Sequence, residues 1–220
     1  MVVSVKHRSG RDTRTKVCLF AKAPEAGRVK TRMSSSLSEQ ECLQLHLDLL
    51  ACVAANVAAL PAQDYVVELH ITGEHSVFDA LSERYGFCRK LQVGQDLGQR
   101  MSHAVSDSLR EYEAVLLVGA DCPFVDGDVI AAVLQAGQHN RAVMVPAADG
   151  GYVALLLRDH DISLFSDIAW GRESVARTTI SRLQALRWDF SVLPGCPDID
   201  RPEDLNCLVE IPALAHWAKR

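Results

Sequence analysis

The run AVLLVG at residues 114–119 contains no polar side chain. Such a strand cannot offer alternate residues to water, so both of its faces must be covered. Strand-like runs also fall at 16–21 (KVCLFA), 65–71 (YVVELHI), 89–93, 142–147 (AVMVPA), 152–157 (YVALLL) and 189–193. Between most of them the apolar residues repeat at helical spacing. The clearest such stretch is 39–60, where Cys42, Leu45, Leu49, Cys52, Val53, Val57 and Leu60 share a stripe whose one polar member is Asn56. Ser38 and Glu41 form an S-x-x-E capping box at its start. Further helices are expected at 76–85, 97–112, 127–138, 173–187 and 203–209. This alternation predicts an α/β fold around a mainly parallel sheet. In such sheets ligands bind beyond the carboxyl ends of the strands.

The 220 residues predict a basic lead-in at 1–15 and a single domain over 16–220, with 48% hydrophobic residues to fill its core. The start of the chain lacks the apolar run of a secretory signal, and no apolar run approaches the ~20 residues that span a bilayer. A soluble, cytoplasmic protein without a membrane partner is expected. Seven cysteines, none in a C-x-x-C pair, read as reduced core residues rather than a zinc site. The eight histidines are scattered and read as structural or surface groups. The net charge is −5, yet residues 6–32 hold nine Lys or Arg against two acids, a local +7. With negative net charge and no basic face studded with aromatics, nucleic acid is not an expected partner. The tail EIPALAHWAKR (210–220) is apolar enough to pack on the core or on a second subunit of a homodimer.

Four strand ends carry the candidate chemistry. The first strand runs into K-A-P-E-A-G-R-V-K-T-R (22–32). Gly27 lets backbone N–H groups approach a phosphate, Lys22 and Lys30 supply point charges, and Arg32 a planar fork; an exposed basic loop is the alternative. Neither the P-loop G-x-x-x-x-G-K-[ST] nor the dinucleotide fingerprint G-x-G-x-x-G is present. Asp121, in G-A-D-C-P (119–123), stands where a buried strand opens to solvent and suits an oxygen-seeking Mg²⁺ or Mn²⁺, or else a turn. Asp126 and Asp128 are better placed to cap the following helix. P-A-A-D-G-G-Y (146–152) reads equally as a hairpin turn or as a ligand loop with Asp149, Gly150 and Gly151 at the ligand. In C-P-D-I-D-R-P-E-D-L (196–205), Asp198 and Asp200 share one side of an extended segment and suit a metal, while Asp200 with Glu203 also suits a helix cap.

In this order the segments resemble the bacterial DUF2064 family of GT-A-like nucleotide-diphospho-sugar transferases, over about residues 16–210. FAKAPEAGRVKTRM is similar to the family opening F-x-K-x-P-x-x-G-x-x-K-T-R-L, and QVGQDLGQRM (92–101) to Q-x-G-x-D-L-G-x-R-M. GADCPFV, PAADGGYVALLL and DIDRPEDL follow in place. Met33 and Phe124 replace leucines, and Gly171 and Arg172 stand where Ser and Thr are usual. The resemblance implies a GT-A fold, a Rossmann-like αβα sandwich with a mixed sheet, related distantly to the phospholactate and molybdenum-cofactor guanylyltransferases. It implies that the first turn faces a nucleotide, that Asp121 and Asp200 bind Mg²⁺ or Mn²⁺, and that Asp96 and Arg100 reach the base or ribose. Glycosyl transfer from a nucleoside diphosphate sugar to a small-molecule acceptor follows, with Lys30 and Arg32 as fixed positive charge and Asp149 as base or sugar-orienting group. Nucleotidyl transfer from a nucleoside triphosphate to a phosphorylated substrate is the rival; a binding module without activity is a third reading.

Overall fold

β1 (Asp12–Ala21) sits mid-sheet because both of its faces are apolar: Val17, Leu19 and Ala21 turn to one helical layer, Cys18 and Phe20 to the other. It pairs in parallel with β2 (Tyr65–Ile71) on one side and β4 (Tyr112–Gly119) on the other, and β3 (Cys88–Leu91) joins outside β2. Beyond β4 lies β6 (Tyr152–Leu157), antiparallel to it, then β5 (Ala142–Pro146) and, parallel to β5, β7 (Phe190–Val192). The order β3-β2-β1-β4-β6-β5-β7 makes a mixed, mainly parallel sheet. The structure, a computed structural model, describes residues 12–219; residues 1–11 of the expected lead-in lie outside the described residues. The lead-in's last four residues, 12–15, belong to β1 instead, where Asp12 pairs with Tyr112 ahead of a register shift.

Helices cover both faces, as the all-apolar strands require. On one face α1 (Glu39–Ala58), α2 (Ser76–Tyr85) and α4 (Gly127–Gly137) bury Leu50, Val53, Phe78, Ile130 and Val133 against the sheet. On the other, α3 (Leu97–Ser108) and α5 (Val175–Ala185) contribute Met101, Val105 and Leu183. The Ser38–Glu41 capping box forms at the start of α1, and Asp126 caps α4 by accepting from the Asp128 and Val129 N–H groups, each at 3.0 Å. Two charged residues lie in the sheet itself: Lys16 donates to Glu68 at 3.0 Å, and His70 sits 2.9 Å from the other Glu68 oxygen. Burial alone would raise the Glu68 carboxyl, but these two partners outweigh it and hold it down at about 2.

α1 is, among the described residues, the helix long and apolar enough by composition to cross a membrane. Here it is a core helix. Its second half packs on the sheet, while Cys42, Leu45 and Leu49 meet Ile199, Leu205, Leu208, Leu214 and Trp217 of the C-terminal segment. The apolar tail therefore packs on its own core, and Trp217 Nε1 donates to Asp48 at 2.9 Å. The helix expected at 203–209 is a 3₁₀ helix, Pro202–Glu210. Its cap differs from the expectation. Asp204 accepts from the N–H groups of Asp200 (2.9 Å) and Arg201 (2.6 Å), so neither Asp200 nor Glu203 caps it.

From the adjacent strands β1 and β4 the chain leads toward opposite edges of the sheet, to β2 and to β5, which opens a crevice at their carboxyl ends. β6 runs antiparallel, so its beginning lies at that same edge. The segment after β7 returns there too, through the Ala147–Cys196 bridge and the 3.2 Å bond from Ile199 N–H to the Asp121 carbonyl. The polar interruption of the α1 stripe serves this edge: the Asn56 amide donates to the carbonyls of Pro123 (3.0 Å) and Val125 (3.3 Å), pinning the segment that follows Asp121. Asn56→Ala leaves both carbonyls short of a donor and is expected to lower stability by about 1–3 kcal/mol, read as a reduced midpoint with unchanged slope in urea unfolding.

Candidate functional site

A cavity of about 430 Å³ opens at the β1–β4 crevice. Part of the lining is apolar: Phe20, Leu97, Met101, Leu117, Tyr152 and Trp170. Tyr152 and Trp170 meet edge to face at 6.4 Å between ring centres. The polar part gathers Lys22, Lys30, Arg100, Asp121, Asp149, Gly151, Asp198 and Asp200. Five separated segments of the sequence thus meet in one space.

The cations of the first turn are mostly committed within the protein, which corrects the expectation of an open cationic receptor. Arg28 pairs with Glu25 at 2.8 Å on the surface. Arg32 pairs with Asp200 and donates to the Gly171 carbonyl at 3.4 Å, and it does not line the cavity. Lys30 turns inward, its side chain 4% exposed, with Nζ 3.2 Å from Asp121 Oδ2 and hydrogen-bonded to the Ile199 carbonyl. It holds a left-handed backbone, φ 49° and ψ 35°, that L-residues other than glycine seldom adopt. Lys22 is exposed on the cavity and, among the described residues, has no carboxylate partner.

The acids divide in the same way. Asp121 stands at the cavity with its side chain about half exposed; the surrounding protein works against its charge, but Lys30 outweighs that and holds the carboxyl below its usual range. One side of this carboxylate opens on the cavity. Asp149 does both things its sequence context suggested: it lies in the β5–β6 hairpin, accepting the Gly151 N–H at 2.7 Å, and it lines the cavity. Asp198 has no such cationic partner among the described residues. Burial first, then the charges of Asp149 and Asp121, push its carboxyl up to about 6.

The expected metal pair does not fit this arrangement. A divalent cation takes carboxylate oxygens at about 2.1 Å and needs them free. Asp121 is on Lys30, and Asp200 is on Arg32. Among the described residues no three His, Cys, Asp or Glu side chains are gathered closely enough to hold an ion.

Other expected contacts sit elsewhere. Gly27, with φ 75°, is exposed and turned toward Glu39, off the cavity wall. Asp96 caps α3, accepting from Gln99 N–H at 2.8 Å, and does not line the cavity; Arg100 lines it, with Nε bonded to the Gly94 carbonyl at 3.0 Å. Gly150 is needed for packing, since a Cβ there would overlap the backbone of Glu173. Gly98 answers a similar demand: a Cβ would run into the Trp170 indole, which its absence lets close over the start of α3.

Three residues that the sequence reading did not place in the site line it. His46 is buried on the α1 stripe and lines the cavity, with Nε2 3.0 Å from the Lys22 carbonyl. Burial holds its pKa down, so the ring is neutral and its Nε2–H clamps the turn. Its position four residues after Cys42 and three before Leu49 was the available signal. Trp170 and Arg172 also line the cavity, and the unusual Gly171–Arg172 pair therefore belongs to the site.

The model of the family described as an uncharacterized protein conserved in bacteria (DUF2064) matches residues 52–172, which include Asp121 and Asp149. No curated protein sequence matches significantly. Among solved structures, a Desulfovibrio desulfuricans G20 protein provisionally named a nucleotide-diphospho-sugar transferase is 24% identical, with a TM-score of 0.83 over 94% of each chain. A CMP:2-keto-3-deoxy-manno-octonic acid synthetase complexed with CTP gives 0.57 at 10% identity, covering 93% of this chain and 99% of the other. The 4-diphosphocytidyl-2C-methyl-D-erythritol synthase of Anaerococcus prevotii DSM 20548 gives 0.55 at 12% identity, over 95% of this chain and 100% of the other. These likenesses establish the fold, an αβα sandwich of the nucleotide-diphospho-sugar transferase type.

The raised Asp198 carboxyl has a sign that can be checked. The folded state holds its proton more tightly than the unfolded chain does. Its favourable contribution is complete below the unfolded value of about 4 and is lost as pH rises through about 6. Asp198→Asn should therefore match the wild type near pH 4 and become the more stable of the two above pH 6, in urea unfolding across that range.

Proposed function

The chain belongs to the DUF2064 family, and from that premise we propose that it transfers a glycosyl group from a nucleoside diphosphate sugar to a small-molecule acceptor. The observation that carries this reading is the cavity at the β1–β4 crevice, whose lining combines cations with aromatic rings. The name of the similar Desulfovibrio protein supports the same donor class.

The residues divide the work by their surroundings. Lys22, exposed and without a carboxylate partner among the described residues, receives the diphosphate, and the His46 clamp fixes the backbone from which it projects. As the bond from the anomeric carbon to the diphosphate oxygen breaks, charge grows on the leaving group, and a preoriented ammonium stabilises that charge more than it does the ground state. The acceptor hydroxyl bonds to the anomeric carbon and gives up its proton. Asp149 suits the role of base: Gly151 N–H holds one carboxylate oxygen, which orients the other. Trp170 and Tyr152 offer an apolar surface to a ring and exclude water from it. No step is assigned to a divalent cation, because Asp121 and Asp200 are each engaged by a side-chain cation.

Nucleotidyl transfer is the second reading, and a specific observation favours it. Arg100 and Arg172 line the cavity in addition to Lys22, so cationic groups are at hand for a third phosphate. A ligand that binds only the native state raises its melting temperature. Thermal melts with nucleoside diphosphate sugars and nucleoside triphosphates separate the two readings. A diphosphate sugar is expected to stabilise the wild type, with affinity lowered about tenfold or more in Lys22→Ala. Stabilisation by a triphosphate in preference would move the assignment to nucleotidyl transfer, and no shift with any nucleotide would overturn both.

A further inference from the structure

Lys30 stands where the family resemblance puts a metal ion. We propose that its ammonium is the resident countercharge of Asp121, so that the site receives nucleotide phosphates with no divalent cation on that carboxylate. The inference rests on the reading above, that the cavity receives a nucleotide.

The first support is geometric. Nζ lies 3.2 Å from Asp121 Oδ2 and also bonds the Ile199 carbonyl, which uses two of the ammonium's three donors. Lys30 lines the cavity, so the third donor remains for a phosphate oxygen in the same space. A dication on Asp121 Oδ2 would share one oxygen with an ammonium buried beside it, and the two like charges would repel with little water between them. Oδ1, which meets the Cys122 thiol at 3.5 Å, belongs to the same carboxylate, so a dication there would still face the buried ammonium and find a charge already half answered.

The second support is the backbone. Were residue 30 only a turn, glycine would hold its left-handed conformation without strain. A lysine there keeps the strain, and in return the turn aims an ammonium into the fold rather than into solvent. The third support is the other member of the expected metal pair. Asp200 is held by Arg32, whose guanidinium is always charged. Both carboxylates that would have served a metal thus carry tethered cations.

The test uses the full chain and five probes, UDP, GDP, CDP, ADP and dTDP, titrated calorimetrically in EDTA and again in Mg²⁺ or Mn²⁺. The expected result is that the diphosphate that binds does so with unchanged affinity in EDTA. Mn²⁺ added alone should leave its free-ion EPR signal undiminished. Lys30→Met is expected to weaken binding in EDTA by about 10- to 100-fold, with part of the loss recovered in Mn²⁺ as Asp121 becomes available. Binding by the wild type that disappears in EDTA and returns with metal would overturn the inference and leave the nucleotide reading intact. Failure of every diphosphate in both conditions would overturn that reading itself. If Lys30→Met does not fold, the wild type still decides: Mn²⁺ bound by it and lost in Asp121→Asn would overturn the proposal.

Discussion

A buried ammonium costs several kcal/mol unless a countercharge and further acceptors surround it. For Lys30 those partners come from distant parts of the chain: Asp121 is 91 residues away and Ile199 is 169. Meeting this demand fixes the first turn, the end of β4 and the segment after β7 against one another. The backbone reinforces the same junction, because Ile199 N–H bonds the Asp121 carbonyl and the Asn56 amide holds the two carbonyls just beyond it. Loss of the Asp121 carboxylate would leave the Lys30 ammonium buried without its countercharge, which is far more damaging than loss of a surface pair.

The direction of one strand completes the site. β6 is antiparallel to both β4 and β5, so the hairpin that carries Asp149 turns at the carboxyl end of β4. A parallel β6 would begin at the far edge of the sheet and place Asp149 a strand's length from Asp121. Hairpin connectivity thus delivers a carboxylate to a crevice that the β1–β4 crossover alone would have lined from two strands.

Local pattern was legible in the sequence, and long-range pairing was not. All seven strands and the five α-helices fall close to where apolar periodicity put them, because burial on two faces leaves few alternatives for runs such as AVLLVG. The Ser38 and Asp126 caps were also readable, since the N–H groups that donate to them lie within three residues. Near the C-terminus the same reasoning failed: with two aspartates and a glutamate close to Pro202, local rules fitted Asp200 and Glu203, whereas Asp204 makes the cap. Arg32 had already claimed Asp200 from across the fold. Ion-pair choice depends on which segments meet, and spacing along the chain carries no trace of that. For the same reason Lys30 reads in isolation as an exposed phosphate ligand and folds as a buried counterion.

Four aspartates around a cavity proposed to receive a nucleotide pose an electrostatic difficulty, and the structure answers it by different means. Asp121 is neutralised by Lys30 and Asp200 by Arg32, both tethered and both independent of solution conditions near neutrality. Asp198 is offset by a proton only below about pH 6, where burial and its acidic neighbours have moved its titration. Asp149 keeps a polar partner, the Gly151 N–H, rather than a cation. With two of the four charges cancelled by side chains, Lys22, Arg100 and Arg172 face the remaining two in a protein whose net charge is −5. Asp121 and Asp200 therefore act first as anchors that orient basic side chains, whereas Asp149 is held by a backbone N–H and not by a side-chain cation, which leaves it the candidate base of the proposed reaction.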